Sequence, residues 1–450
     1  MRKVFKNVSI QALCVAIIAL VACQSSPSKS GREGGSESSE KTFVTSEGQR
    51  LYKDGKPYYF VGTNLWYGAH LGASQEGRRR LVRELDELKL LGITNLRILA
   101  GSEKAGTHKT PIPSFTLAPN SYNEELLQGL DVVLDELAKR DMLAVLYLSN
   151  FWEWSGGMTQ YLAWSAGDST SGSGNAADGN GLTQNAANFY SNEQAQSWYH
   201  DWISTLVQRV NTVNGKLYKD DKAIMSWQLA NEPRLDSDEH GKTSYKHYKD
   251  WVQSSARYIK SLDENHLIST GSEGVMGSAR DLDLYSSAHD IPEIDYLTFH
   301  MWPKDWGWFD LNNADKTQGQ GLVKVKAYML QHIEIAKQLN KPTVLEAFSI
   351  ERDNTSNPSK SKTKSRDLFY REVYRFIEHH AKLGGPIAGS NYWAWGGAGR
   401  AQPLNFTWQN GDPFTGDPPG FAQGLNSVFD GDKSTLEVIY NHSEAMQRIP

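Results

Sequence analysis

Two glutamates, Glu232 and Glu346, lie 114 residues apart, each at the end of a short apolar run of β type. The first closes Ser226-Trp227-Gln228-Leu229-Ala230-Asn231-Glu232 and is followed by Pro233, which cannot extend a ladder. The second leaves Pro342-Thr343-Val344-Leu345-Glu346-Ala347-Phe348. A carboxyl that such a strand delivers to a cavity mouth loses water, so its pKa rises and it can donate a proton near neutral pH. Two carboxyls about 5–5.5 Å apart support double displacement at an acetal carbon, one as acid/base and the other as nucleophile. A lone glutamate at a strand end serves equally well in a salt bridge or a helix cap. What separates these uses is whether a scaffold brings both groups to one mouth.

The rest of the chain spells out such a scaffold. Eight β-rich runs are expected at Tyr58–Thr63, Thr94–Leu99, Leu143–Ser149, Ile224–Ala230, Leu267–Gly271, Tyr296–His300, Pro342–Ala347 and Ile387–Trp393. Between them the apolar period changes to that of helices, as in Leu81, Leu85 and Leu88, then Leu127, Leu130, Val133, Leu134 and Leu137. Further helical sets fall in Trp198–Val210, Tyr248–Leu262, Val323–Leu339 and Phe369–Leu383. Strand and helix alternating eight times predict an α/β protein of the (β/α)8 TIM-barrel type, a single catalytic domain over residues 42–450 with long βα loops. An open doubly wound sheet is the alternative. The surplus length lies in Gly167–Asn188 and Gly396–Gly424, both following strands and so both on the face where barrel active sites sit. Strands four and seven face each other across that mouth.

Around the two glutamates, larger patterns recur. Asn231-Glu232-Pro233-Arg234 is preceded by Tyr218-Lys219-Asp220-Asp221-Lys222-Ala223-Ile224-Met225-Ser226-Trp227-Gln228-Leu229. Elsewhere stand Gly156-Gly157-Met158-Thr159-Gln160-Tyr161, Gly271-Ser272-Glu273-Gly274, His300-Met301-Trp302-Pro303 with Trp306, and Trp393-Ala394-Trp395-Gly396-Gly397. In this order the pieces resemble glycoside hydrolase family 5 from about residue 42 to the C-terminus, and its endo-β-1,4-mannanase branch more than its cellulases. The resemblance implies a retaining enzyme that cuts internal bonds of mannan, glucomannan or galactomannan, with Glu232 as acid/base and Glu346 as nucleophile. It also implies that Arg97 hydrogen-bonds the nucleophile and holds it ionised, and that Asn231 donates near the sugar 2-hydroxyl. His300 and Trp302 would frame the nucleophile, Glu273 and Arg234 would bind sugar hydroxyls, and Trp393 would floor the sugar beside the scissile bond. Two positions depart from the family pattern: Asn150 stands where many members have His, and Trp302 where they have Tyr. An indole cannot offer the nucleophile a phenolic hydroxyl, so either another group supplies that hydrogen bond or the pKa of Glu346 is less finely held. A β-1,4-glucanase or glucomannanase of the same family, and a non-catalytic glycan-capture lipoprotein, are the competing functions.

The chain carries 14 tryptophans. Trp66, Trp152, Trp154, Trp302, Trp306, Trp308, Trp393, Trp395 and Trp408 fall at or after expected strand ends, where indole faces could stack on pyranose rings. Trp198, Trp202, Trp227 and Trp251 lie inside elements and are expected to pack. No His-Glu-x-x-His or Gly-x-Ser-x-Gly motif occurs, and neither a metal nor a cofactor is expected. With 47 Lys and Arg against 52 Asp and Glu, the net charge of −5 offers no grip on nucleic acid. A neutral polysaccharide needs no such grip, and a monomer is expected.

Only Cys14 and Cys23 are present, so disulfides cannot staple the fold. Arg2, Lys3 and Lys6 precede an apolar run, Ala12–Ala22, too short to span a bilayer. Leu20-Val21-Ala22-Cys23 resembles a bacterial lipobox. Residues 1–22 are therefore expected to be a lipoprotein signal, and 23–41 a lipidated Cys23 with a Ser/Gly-rich tether. An ordinary cleaved and secreted form is the alternative. Gln24 after the cysteine points to the outer membrane, facing either the periplasm or the cell surface.

Overall fold

The computed structural model describes residues 42–104, 110–167, 186–235, 239–400 and 406–450, the stretch 239–243 by its backbone alone. The expected signal, Cys23 and tether lie outside these residues, as does most of the insertion after the third strand.

Eight parallel strands form the centre: β1 Phe60–Asn64, β2 Asn95–Leu99, β3 Leu143–Tyr147, β4 Ile224–Gln228, β5 Leu267–Ser269, β6 Leu297–Met301, β7 Thr343–Phe348 and β8 Ile387–Tyr392. Each lies within, or within a residue of, its expected run. The ladder runs β5-β4-β3-β2-β1-β8-β7-β6, so β1 and β8 are hydrogen-bonded neighbours and only the β5–β6 seam lacks a ladder. Bonds that cross that seam include Asp295 N–H to Ile268 O, 2.9 Å, Ile268 N–H to Asp295 Oδ2, 2.7 Å, His300 N–H to Glu273 O, 3.1 Å, and Thr298 Oγ1–H to Ser272 O, 3.1 Å. The sheet is thereby nearly closed into a (β/α)8 barrel.

Helices α1 Gln75–Leu90, α2 Glu124–Lys139, α3 Glu193–Val207, α4 Glu239–Leu262, α5 Leu282–His289, α6 Ala314–Leu339, α7 Lys364–Lys382 and α8 Lys433–Gln447 follow the strands in turn. Their apolar faces and the outward strand residues form one continuous core, which includes Leu81, Leu85 and Leu88 of α1 and Leu127, Leu130, Leu134 and Leu137 of α2. Asparagine caps start α2 and α3, the side chains of Asn123 and Asn192 accepting from Leu126 and Ala195 N–H. A second apolar cluster joins inward residues such as Phe60, Val145 and Val344 to Val44 and Leu51 of an N-terminal hairpin, Thr45–Glu47 with Arg50–Lys53.

Beyond the strand ends, Glu103 ties two loops together. It is fully buried, and it accepts from Gly157 N–H at 2.7 Å and Ser149 Oγ–H at 3.4 Å, bracing the turn that carries Trp152 and Trp154. Burial pushes its carboxyl up from 4.5 to about 8, against the pull of those bonds. Such a group takes up a proton on folding between the two values, so its contribution to stability falls as pH rises through that window. Glu103→Gln has no proton to lose. Its melting temperature relative to wild type should therefore increase from about pH 5 to about pH 8; a difference that stays flat across this range in thermal melts would contradict a protonated Glu103.

Candidate active site

At the C-terminal ends of the strands, one buried cation organises the mouth. Arg97 on β2 is wholly enclosed, its guanidinium carbon 4.4 Å from the Tyr147 ring centroid. Its Nε–H donates to Gln228 Oε1 at 2.8 Å, and its terminal nitrogens donate to Asn64 Oδ1 at 3.1 Å and Asn231 Oδ1 at 2.9 Å. The ends of β1, β2 and β4 are locked in one network. Glu346 Oε2 lies 3.7 Å from Arg97 Nε, an ion pair without a hydrogen bond. The direct bond expected from Arg97 to Glu346 is thus replaced by Gln228, whose Nε2–H donates to Glu346 Oε2 and, at 3.0 Å, to Ser269 Oγ.

Glu346 has a second donor that the sequence analysis missed. Tyr296, at the foot of β6, directs its hydroxyl to Glu346 Oε1 at 3.2 Å and also pairs with Ser226 Oγ at 2.7 Å. This supplies the phenolic hydrogen bond that Trp302 cannot. Its surroundings carried a signal in alternation: Ser226 and Gln228 are polar on either side of Trp227, which puts both on one face of β4. Asn64 was missed as well; its amide holds Glu346 O at 2.9 Å and fixes β7 against β1.

Glu232 sits just beyond β4 with a φ of +51°, in the left-handed region that non-glycine residues seldom adopt. Its N–H bonds to Gly271 O, 2.9 Å, while Asn231 N–H bonds to Ser149 O, 2.8 Å, so both neighbouring strand ends hold this turn. The carboxylate receives three N–H donors: Trp152 Nε1 at 2.6 Å on Oε2, with Trp302 Nε1 and His300 Nδ1 each at 2.7 Å on Oε1. His300 and Trp302 therefore frame Glu232, not Glu346 as expected, because β6 ends across the seam from β5 and its exit leans towards β4.

Charge follows these contacts. Burial alone would raise Glu232, but the three donors, led by His300, outweigh it and bring the carboxyl down to about 2. At Glu346 burial wins over Arg97, Gln228 and Tyr296, and the carboxyl is pushed up to about 7. The expectation of a raised Glu232 and an ionised Glu346 is reversed in the unliganded site. His300 is lowered by burial despite Glu232 beside it, so a neutral imidazole donates through Nδ1. Glu273 is raised to about 7 by burial, with Arg234 Nη2 opposing at 3.0 Å.

A cavity of about 880 Å³ opens over this floor. Asn231, Glu232, Arg234, Glu273, Trp152, Trp302, Trp306 and Trp393 line it, as expected, and so does Trp154. Glu346, Arg97 and His300 lie beneath the lining, with no exposed surface. Asn150 is also buried below it; its Oδ1 accepts from Asn231 Nδ2 at 3.0 Å and its Nδ2 donates to Ser155 Oγ at 3.1 Å. Asn150 thus orients Asn231 and does not reach the cavity. Of the tryptophans expected to meet sugar, Trp66, Trp308, Trp395 and Trp408 are not in the lining. Trp66 is fully buried and donates to Gly416 O at 3.1 Å; Trp395 donates to Glu84 Oε2 at 3.0 Å. Trp308 packs on Trp306 and Tyr328, and Trp408 stacks on Phe414. No group of side chains fit to hold a metal ion occurs among the described residues.

Residues 41–450 match the family described as GH family 5 beta-mannosidase-like. Mannan endo-1,4-beta-mannosidase 4 of Solanum lycopersicum is 30% identical over 367 residues, covering 79% of this chain and 84% of its own. Putative mannan endo-1,4-beta-mannosidase 4 of Arabidopsis thaliana is 30% identical over 84% of this chain and 89% of its own length. Among solved structures, the Glycoside Hydrolase Family 5 Mannosidase from Rhizomucor miehei superposes with a TM-score of 0.81 at 33% identity, covering 91% of this chain and 98% of that one. With the fold, the two strand-end glutamates and this match along the whole described length, the chain belongs to the GH family 5 beta-mannosidase-like family.

Proposed function

We propose that this glycoside hydrolase cleaves β-1,4-mannosidic bonds of mannan-type polysaccharides and oligosaccharides by double displacement. The observation that carries the mechanism is the unequal setting of two glutamates at one mouth: Glu232 exposed to the cavity among N–H donors, and Glu346 sealed below it beside Arg97. Glu346 attacks the anomeric carbon as the bond to the departing oxygen breaks, and Glu232 gives that oxygen its proton. Water then attacks the glycosyl ester while Glu232 takes the proton back and Glu346 leaves. Burial favours the proton on Glu346 and the three donors favour the anion at Glu232, whereas the first step needs the proton on Glu232. Substrate brings this about by excluding water from Glu232, the more open carboxylate, and so raising its proton affinity. Asn231, tied through Oδ1 to Arg97 and through Nδ2 to Asn150, retains one N–H for a sugar hydroxyl. Trp152 and Trp302 use their N–H groups on Glu232 and line the cavity, where an indole can bury the apolar side of a pyranose.

The mannan class rests on the relatives' names and on the matched family. Reducing-end release from mannan, glucomannan, carboxymethylcellulose and xylan tests it, with Glu232→Gln and Glu346→Gln alongside. Mannan cleavage by wild type is expected, with each variant slower by about 10³-fold or more. Cleavage of cellulose with mannan untouched would overturn the substrate class, and a first product of α-configuration by NMR would overturn the mechanism.

Tyr296→Phe removes a donor that stabilises ionised Glu346. Because the nucleophile works only when ionised, kcat/KM should rise with pH through about 7, and the variant's limb should lie higher. Its kcat should fall about tenfold, the scale of one lost hydrogen bond to a charged group. An unmoved limb in the pH–rate profile would remove Tyr296 from this role.

We propose also that the chain is anchored to the cell envelope through lipid on Cys23. The charged start, short apolar run and Leu20-Val21-Ala22-Cys23 ending support it. Cys23→Ser should leave the membrane fraction; continued sedimentation with membranes would refute lipidation.

A further inference from the structure

Glu103, in the segment that follows β2, has no bond to either glutamate of the mouth, and its side chain has no exposed surface. It faces the turn of residues 150–157, which brings Trp152 and Trp154 to the cavity. One leg of that turn is fixed at the exit of β4, where Phe151 N–H bonds to Asn231 O at 2.9 Å. The far leg is fixed by Glu103: its carboxyl accepts from Gly157 N–H at 2.7 Å, and its own N–H donates to Ser155 O at 2.8 Å. The fit there is close. A Cβ on Gly156 would lie 2.3 Å from Glu103 O, and one on Gly157 would lie 2.3 Å from Asn150 O. Asn150 carries the constraint across the turn, since its Oδ1 accepts from Trp152 N–H at 3.1 Å while its Nδ2 donates to Ser155 Oγ at 3.1 Å. Trp152 is thereby held from both legs, and its Nε1–H reaches Glu232 Oε2 at 2.6 Å.

The two oxygens of Glu232 are not equivalent. Oε1 receives both His300 Nδ1–H and Trp302 Nε1–H, which occupy its lone pairs, whereas Oε2 receives Trp152 alone and keeps one lone pair free. The proton given to the departing oxygen must therefore sit on Oε2. An oxygen that accepts along one lone pair presents its proton along the other, so the indole N–H sets the direction of delivery. A shifted indole misaims the proton, and general acid catalysis depends on that alignment. We infer that Glu103 is a positioning residue for proton delivery: by bracing the far leg of the turn it fixes Trp152, and through Trp152 the aim of Glu232 Oε2. This inference rests on the proposed double displacement and adds to it a residue that meets neither the sugar nor the carboxylates.

The test uses the full chain with dinitrophenyl and methylphenyl glycosides of β-mannose and of β-mannobiose. Dinitrophenol departs without a proton, and methylphenol needs one. With these substrates kcat/KM reports the first displacement alone, so a misaimed acid shows as a loss confined to the poorer leaving group. Glu103→Ala should lower kcat/KM by about tenfold or more on the methylphenyl substrates and by less than about threefold on the dinitrophenyl ones. Glu103→Gln keeps an acceptor for Gly157 N–H and should recover to within about threefold of wild type on both. Trp152→Phe, which keeps a ring and drops the N–H, should diverge as Glu103→Ala does. Equal losses on both leaving groups in Glu103→Ala, or no loss, would overturn the inference. If Glu103→Ala does not fold in thermal melts, Glu103→Asp, which draws the acceptor back by one methylene, decides by the same ratio. A Trp152→Phe enzyme without divergence would overturn the inference whatever the Glu103 variants do. Glu232→Gln is the reference. Should it diverge where Glu103→Ala does not, only the inference falls; should it lose both substrates equally, or wild type cleave none of them, the proposed double displacement falls as well.

Discussion

A guanidinium cannot be sealed inside a barrel without partners that replace its water, because an unpaired buried charge costs several kcal/mol. Arg97 meets that demand with Gln228, Asn64, Asn231, the Tyr147 ring and, at longer range, Glu346. These residues come from β1, β2, β3, β4 and β7, so satisfying one cation fixes five strand ends relative to one another. Asn231 is thereby held with its neighbour Glu232 over the cavity, and Glu346 is kept below. The position of both carboxylates follows from the needs of a third side chain that hydrogen-bonds neither and pairs with Glu346 only at 3.7 Å.

The same enclosure sets the difference between the carboxylates. They share a mouth, but Glu232 receives three N–H groups while Glu346 has two donors and a more distant cation. Between two buried carboxyls of unequal exposure, the number and closeness of donors adds to the difference in desolvation in deciding which keeps the proton. Substrate that excludes water from Glu232 would draw the proton there for the first chemical step.

The barrel was legible because its signals are local and repeat: each strand is a short apolar run, and each glutamate sits at the end of one. The hairpin at Thr45–Lys53 and helix α5 escaped notice because they are short, and α8 because its buried face mixes Thr435, His442 and Ser443 with Ile439 and Met446. At the site, residue identity could be read but the direction of contact could not. His300 and Trp302 were expected beside Glu346, yet the β5–β6 seam brings the end of β6 towards Glu232. Trp66 lies just past a strand end, as a sugar-binding indole would. Nothing near it in sequence reveals that Phe414 and Gly416, about 350 residues later, cover it.

That covering segment is itself held by buried charge. Asp417 accepts the N–H groups of Gly424, Asn426 and Ser427. Arg352 binds Gly424 O and Ser427 O while paired with Asp432, and Arg366 binds the carbonyls of Ile350, Leu425 and Ser427. Loops ordinarily satisfy their backbone with water, which leaves them free to shift. Here carbonyls and N–H groups of the segment after β8 are satisfied by side chains that have no exposed surface or almost none. Moving Leu425 or Asn426, which line the cavity, would strip those buried charges of their partners. The wall can therefore keep its shape against a substrate that binds by stacking and dispersion, interactions too weak to mould a yielding surface. Buried arginine thus serves twice, binding side-chain oxygens in the floor at Arg97 and backbone carbonyls in the wall at Arg352 and Arg366. Around Glu232, Trp152 and Trp302 serve twice, holding the carboxylate through their N–H groups and lining the cavity that would meet the sugar.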